Sequence, residues 1–299
     1  MPNLISLPKA QVLPTQFQPC IEQLKRLEIA QGYYRLMDWE QQFDLHGNTY
    51  WKVLLSDFSG SYWVYWFNQS NRLESFVTTG AVCYLKLSSS QGRWRLLHKI
   101  ELACRVPELA CLNPLPLLLP HITSYQPSLL KRALALYDQI SNLHLRTFLN
   151  ICLFASDVGP RLMICPASVS HHHAYPGGLF EHSVEVAEKL AQLVPNQSLE
   201  SKDLAIVLGL IHDIGKVKTI KPNHQHGSLG TRVQHDALTL EVCSAGLSYL
   251  DAHLPQIAIE IRHCLTCSTL NSRYGFKPQS ALALALQIAD RESAEPRSF

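Results

Sequence analysis

The apolar positions of the chain change their period near its middle. Between residues 41 and 104 they form short runs, at 50–55, 61–67, 81–87 and 94–101. Between these runs stand the turn Asp57-Phe58-Ser59-Gly60, a polar stretch at 68–71, Gly80 and a serine-rich stretch at 88–92. Short strands parted by turn residues predict a small barrel or sandwich. Ahead of them the chain opens with prolines and a short helix expected over 19–30. From Ser128 the period becomes helical. Leu129, Ala133, Leu136, Ile140 and Leu143 recur at alternating steps of four and three, which places them on one helix face. Further helices are expected at 179–193, 202–211, 237–252, 255–267 and 279–293. Prolines 107, 114, 116, 120 and 127 crowd the tract between the two patterns, which reads as a linker. The expected organisation is α+β and multidomain: an N-terminal extension at 1–40, a β domain at 41–104, a proline-rich linker at 105–127 and an all-α domain at 128–299.

Composition narrows the classes. The chain has 299 residues, 46% of them apolar and 17% charged, enough to bury a core and unlike a disordered or fibrous chain. Lys plus Arg (26) nearly balances Asp plus Glu (24). Any contact with nucleic acid must then come from a local groove and not from bulk charge. Nine cysteines, odd in number and irregular in spacing, argue against a disulfide framework, and no second C-x-x-C answers Cys264 and Cys267. The opening MPNLISLPKAQ lacks a signal-peptide core, and the most apolar stretch, Leu115 to Leu119, is short and bounded by prolines. A cytoplasmic protein with no membrane segment is expected.

Histidine changes the picture most. Ten of the fourteen lie between His171 and His263, a crowding that points to a metal or phosphate site in the C-terminal half. The strongest signal is Ile211-His212-Asp213-Ile214-Gly215-Lys216, an imidazole and a carboxylate offered together at a helix end, with Lys216 placed to meet a phosphate. His182 stands upstream, and His235, His263 and Asp290 stand downstream, each on or near a separate expected helix. Several helices can aim such groups into one bundle core. Imidazole with carboxylate suits Mn, Fe, Zn, Co or Ni better than calcium. An Asp shared by two cations would make a dinuclear site able to activate water and hold a phosphodiester.

The order His182, His212-Asp213, Asp290 resembles the HD-superfamily phosphohydrolases, whose H…HD…D signature binds metal in an all-α domain. The resemblance implies His182, His212, Asp213 and Asp290 as first-metal ligands. It implies His235 and His263 as the added ligands of a second ion, with Asp213 bridging. Manganese is the first expectation, with Fe, Co, Ni, Zn or Mg as alternatives. The segment 166–182, PASVSHHHAYPGGLFEH, resembles two branches of that superfamily. One is the YhaM-type 3′→5′ exoribonucleases, which join an OB-fold to an HD domain. The other is the HD-like domain of MobH-type relaxases, marked by a triple histidine. In the first branch the β segment would be a small OB-like barrel, and Leu54 to Gly60 looks like its first hairpin.

The resemblance implies a metal-dependent phosphodiesterase that cleaves single-stranded RNA or DNA as a 3′→5′ exonuclease. Asp213 and Lys216 would carry the chemistry. One or two of His171, His172 and His173 would contact substrate phosphate and the rest be structural, while Arg262 and Arg291 would either hold phosphate or pair with helix carboxylates. On the strand at 61–67, Tyr62 and Trp66 share one face and Trp63, Tyr65 and Phe67 the other. One set is core and the other can stack bases, with Tyr62 and Trp66 taken here as the stacking pair. Two alternatives stay open: an HD hydrolase of nucleotides or cyclic dinucleotides, and a relaxase-like or non-catalytic nucleic-acid-binding protein of a mobile element. A homo-oligomer is compatible with either.

Overall fold

The computed structural model describes residues 19–57, 59–67, 79–90, 94–102, 127–155, 158–194 and 199–294. The expected N-terminal proline segment through residue 18 and the proline-rich tract from 105 to 126 lie outside the described residues. A five-stranded sheet is followed by a helical region.

The strands are β1 (Ile29–Phe43), β2 (Thr49–Asp57), β3 (Gly60–Trp66), β4 (Val82–Ser90) and β5 (Trp94–Leu102). They hydrogen-bond in the order β1-β2-β3-β5-β4, and β4 returns to β1, so the sheet closes into a barrel. All pairings are antiparallel except β3 with β5, which run parallel at Tyr65 and Leu96. Val53, Leu55, Val64, Trp66, Leu85, Leu87 and Leu97 fill the interior. The short helix α1 (Ile21–Leu24) adds Ile21 and Leu24 to the same core. It is tethered there by the Ile21 N–H, which donates to Asp57 Oδ2 at 2.8 Å.

The longest strand, β1, is a departure from the sequence reading. The helix expected over 19–30 ends at Leu24, and a 15-residue strand begins at Ile29, well before residue 41. Its centre, Tyr33 to Leu36, is buried at every position. Tyr34 and Leu36 face the barrel core, while Tyr33 joins Val82, Tyr84, Ile151 and Phe154 in a small cluster that links barrel and helices. A strand covered on both sides loses the alternation by which strands are read.

The helical region holds α2 (Pro127–Gln139), α3 (Leu143–Phe154), α4 (Val158–Ile164), α5 (Gly178–Leu193), α6 (Leu199–Ile211), α7 (Lys216–Thr219), α8 (His235–His253), α9 (Pro255–Thr266) and α10 (Ala281–Ala294). Leu129, Ala133, Leu136 and Ile140 are buried as expected. Leu143 instead opens a new helix. Asn142 caps it by accepting from the N–H groups of His144 and Leu145, and the buried Asp203 collects the N–H groups of Ser141 and Asn142. These side-chain acceptors satisfy the helix-end donors and so break one predicted helix into two. No helix among the described residues is long and apolar enough to cross a membrane.

Candidate metal centre

Three elements bring four side chains together. His182 lies one turn into α5. His212 and Asp213 follow α6 directly, in a tight turn closed by Ile214 N–H to Ile211 O and Lys216 N–H to Asp213 O, each 2.9 Å. Asp290 lies on α10. Helices α5 and α6 approach closely because position 209 is glycine: a Cβ there would stand 2.3 Å from the Ala187 Cα. Gly215 serves the same purpose on the other side, where a Cβ would meet the His235 carbonyl at 2.2 Å. Its backbone is helical (φ −62°), so close packing, and not turn geometry, is what requires glycine there.

One ligand atom from each of His182, His212, Asp213 and Asp290 lies within 4.8 Å of every other. The two histidine Nε2 atoms face one another at 3.2 Å. Asp290 Oδ1 is 3.0 Å from His182 Nε2 and 3.6 Å from His212 Nε2. Asp213 Oδ2 is 3.4 Å from His182 Nε2 and 3.5 Å from His212 Nε2. His212 Nδ1 meets the Gly209 carbonyl at 2.9 Å and can only donate to it. The Nε2 lone pair of that ring is therefore turned into the cluster. Two imidazole nitrogens and two carboxylates converging on one point form an N,O donor set that suits a first-row divalent metal. The residues present fit such an ion.

The charged groups of the cluster shift one another strongly. Burial opposes a charge on His182, yet Asp213 and Asp290 outweigh it and push the ring up to about 9. Burial also opposes the Asp213 charge, but Lys216 and His212, with hydrogen bonds from His182 and His235, hold the carboxyl well below the usual range. Asp290 is held low against burial by His182 and His212. Lys216 Nζ lies 2.5 Å from Asp213 Oδ2, and despite burial that contact raises the ammonium above its ordinary value.

The remaining expected residues divide. His235 opens α8 with Nε2 3.0 Å from Asp213 Oδ1, the oxygen turned away from the four-residue cluster. His263 is not part of the cluster: its Nε2 accepts the Gln279 N–H at 2.9 Å. His171 and His172 are exposed, while His173 is half-buried with φ +54° and Nε2 3.4 Å from Glu185 Oε2. Arg262 forms a two-pronged pair with Asp251, both contacts 2.7 Å, which occupies the fork expected to hold phosphate. Arg291 is exposed on α10.

On the barrel the stacking assignment reverses. Trp66 is 2% exposed inside the barrel, and Tyr62 packs against the same core. The outward face belongs to the other set. Tyr50 and Phe67 stack with centroids 5.0 Å apart, Tyr65 lies 6.1 Å from Tyr50, and Lys52 sits 4.1 Å above the Trp63 ring. Barrel closure decides which face turns inward, and both faces of β3 are aromatic, so alternation alone could not choose.

The sequence reading missed Ser293, Glu185 and Thr239. Thr239 Oγ1 donates to the His212 carbonyl and accepts the Gly215 N–H at 3.0 Å, pinning the turn to α8. Glu185 lies three residues after His182, and Ser293 three after Asp290. That spacing shares a helix face, and it was the available signal.

Residues 179–295 match the HD domain family, a stretch that contains all four clustered residues. No curated protein and no solved structure matches the chain.

Proposed function

We propose that this chain, with its HD domain at 179–295, is a metal-dependent phosphodiesterase that shortens single-stranded nucleic acid from the 3′ end. The observation that carries the hydrolase reading is the convergence of His182, His212, Asp213 and Asp290 on one point. These four would hold a divalent cation, manganese first among the candidates. His235, against the other oxygen of Asp213, would start a second site. A cation held by these residues would supply a Lewis acid for the phosphate ester and would lower the pKa of a water.

The side chains of this protein do the rest. Asp213 orients the cluster, with each oxygen turned to a different histidine set. Lys216 lies at the rim, its side chain 19% exposed, and can hold a phosphate oxygen by a charge-assisted hydrogen bond. His235, 35% exposed, stands at the mouth where substrate would enter.

Support for a polymer substrate comes from the barrel. Its closed strand order, with a parallel β3–β5 contact, supports the OB-like reading, and OB-folds bind oligonucleotides on the β2–β3 face. Here that face carries Tyr50, Tyr65, Phe67 and Trp63 with Lys52: rings for bases and a cation for the backbone. The 3′→5′ polarity rests on the resemblance of 166–182 to YhaM-type enzymes.

The test is a digestion time course on end-labelled single-stranded RNA and DNA with Mn²⁺, beside Asp213→Ala. A ladder receding from the 3′ end, absent in the variant, is the expected result. Hydrolysis of mononucleotides or cyclic dinucleotides with oligomers left intact would overturn the nuclease reading. A single nick at one DNA sequence would point to the relaxase branch.

A further inference from the structure

We infer that Glu185, acting through Ser293, fixes the ring proton of His182 on Nδ1 and so presents Nε2 to the cation. Glu185 is thus a positioning residue for the metal. The inference rests on the metal-binding reading above.

The argument is one of donors and acceptors. Ser293 Oγ donates to Glu185 Oε2 at 2.9 Å and lies 3.1 Å from His182 Nδ1. A hydroxyl has one proton to give, and a carboxylate can only accept. The serine proton is therefore committed to Glu185, and Ser293 must accept at its other side. The donor it accepts from is the His182 Nδ1–H. The lone pair of the neutral ring then lies on Nε2, the atom facing Asp213, Asp290 and His212.

The two histidines reach the same state by different devices. His212 is fixed by a backbone carbonyl, that of Gly209, whose acceptor role no side-chain substitution can reverse. His182 depends on a two-step relay that a substitution can reverse. The relay is buried: His182, Ser293 and Glu185 are 4%, 5% and 7% exposed. In such surroundings a mismatched donor or acceptor has no water to satisfy it. Two helices supply the parts at matching intervals, His182 and Glu185 on α5, Asp290 and Ser293 on α10.

The relay also gives a role to a second group of ligand-type residues. His173, Glu181 and Glu185 bring their ligand atoms within 4.8 Å of one another. Each carboxylate already accepts from a hydroxyl: Glu181 from Tyr175 at 2.6 Å, Glu185 from Ser293. His173 Nε2 lies 3.4 Å from Glu185 Oε2, the same oxygen that accepts from Ser293. The group anchors the relay that ends at the metal.

Glu185→Gln is the decisive substitution. The carboxamide keeps the shape but gains N–H donors. It can donate to Ser293, whose proton then turns to Nδ1 and drives the ring proton onto Nε2. We expect the affinity of the EDTA-stripped protein for Zn²⁺, read by calorimetry, to fall about 10–100-fold, the usual cost of losing an outer-sphere partner. Ser293→Ala should fall similarly, and Ser293→Thr, which keeps the hydroxyl, should bind close to wild type. Ring ¹⁵N spectra of Zn²⁺-loaded wild type should show His182 protonated at Nδ1. Circular dichroism and urea unfolding of the stripped variants check the fold. If E185Q and S293A are unfolded, the wild-type ring spectrum alone decides. Wild-type affinity retained in both variants, or a loaded ring protonated at Nε2, overturns the inference while leaving metal binding intact. No binding by wild type removes the metal reading itself.

Discussion

Asp213 spends its two oxygens on different neighbours: Oδ2 on Lys216 and the paired histidines, Oδ1 on His235. Asp213→Asn keeps the volume and removes the charge. The half-buried Lys216 ammonium and the paired rings then lose their counter-charge. The expected outcome is a folded protein with no measurable Mn²⁺ binding by calorimetry and no cleavage. His182 sets a pH dependence whose sign can be worked out. Its ring is raised from 6.5 to about 9 in the metal-free fold. The stability from that pairing is fully present below pH 6.5 and is lost as the pH climbs through about 9. A cation needs the same ring neutral, so metal must displace a proton. Mn²⁺ affinity should therefore rise with pH across that window and level off above it, while the urea midpoint of the stripped protein falls over the same window. An affinity flat with pH would mean that His182 is not a ligand.

At the scale of elements, the site depends on how closely α5 and α6 run. Gly209→Ala places a methyl 2.3 Å from Ala187 Cα and 2.6 Å from its backbone nitrogen, atoms that cannot swing aside. The helices must part, at a cost of about 1–3 kcal/mol as in other overpacked cores. Because His182 and His212 sit on the parted elements, metal affinity should drop along with the urea midpoint. A variant destabilised but binding normally would uncouple the two. The helices carrying this geometry were largely legible in the sequence. The expected 179–193 and 255–267 are observed as Gly178–Leu193 and Pro255–Thr266, because one-sided apolar faces and clear end signals marked them. The His-Asp pair also stands where its helix-end position suggested. What escaped were elements whose cue is tertiary. The centre of β1, Tyr33 to Leu36, is covered on both faces and so shows no strand alternation. His263 has the residue type and approximate place of a ligand, and only the fold shows its ring committed to Gln279. Ser293 and Glu185 have no chemistry of their own to draw notice, and their meaning appears only when α5 and α10 face each other.

At the scale of the whole molecule, the proposed function would divide binding from chemistry between the two parts, and that division can be measured. Neighbouring residues at the end of β3 face opposite ways: Trp66, its last residue, fills the barrel and Phe67, just after it, is 53% exposed. Trp66→Ala should cost about 3–5 kcal/mol of stability by emptying the barrel core. Tyr65→Ala with Phe67→Ala should leave the urea midpoint almost unchanged, since those rings cover surface and not core. Stacking on exposed aromatics is worth about 1–3 kcal/mol per base, so the double variant should raise the Kd for single-stranded oligomers by on the order of ten-fold or more. The four clustered residues are untouched by these changes. A small chromogenic phosphodiester, too short to reach the barrel, should be cleaved by the double variant as fast as by wild type. Equal loss on oligomer and small ester would mean that the barrel supports the fold of the metal site and does not bind the strand. Loss on the oligomer alone makes the aromatic face the element that selects a polymer, with Lys52 adding a salt-sensitive contact to the backbone.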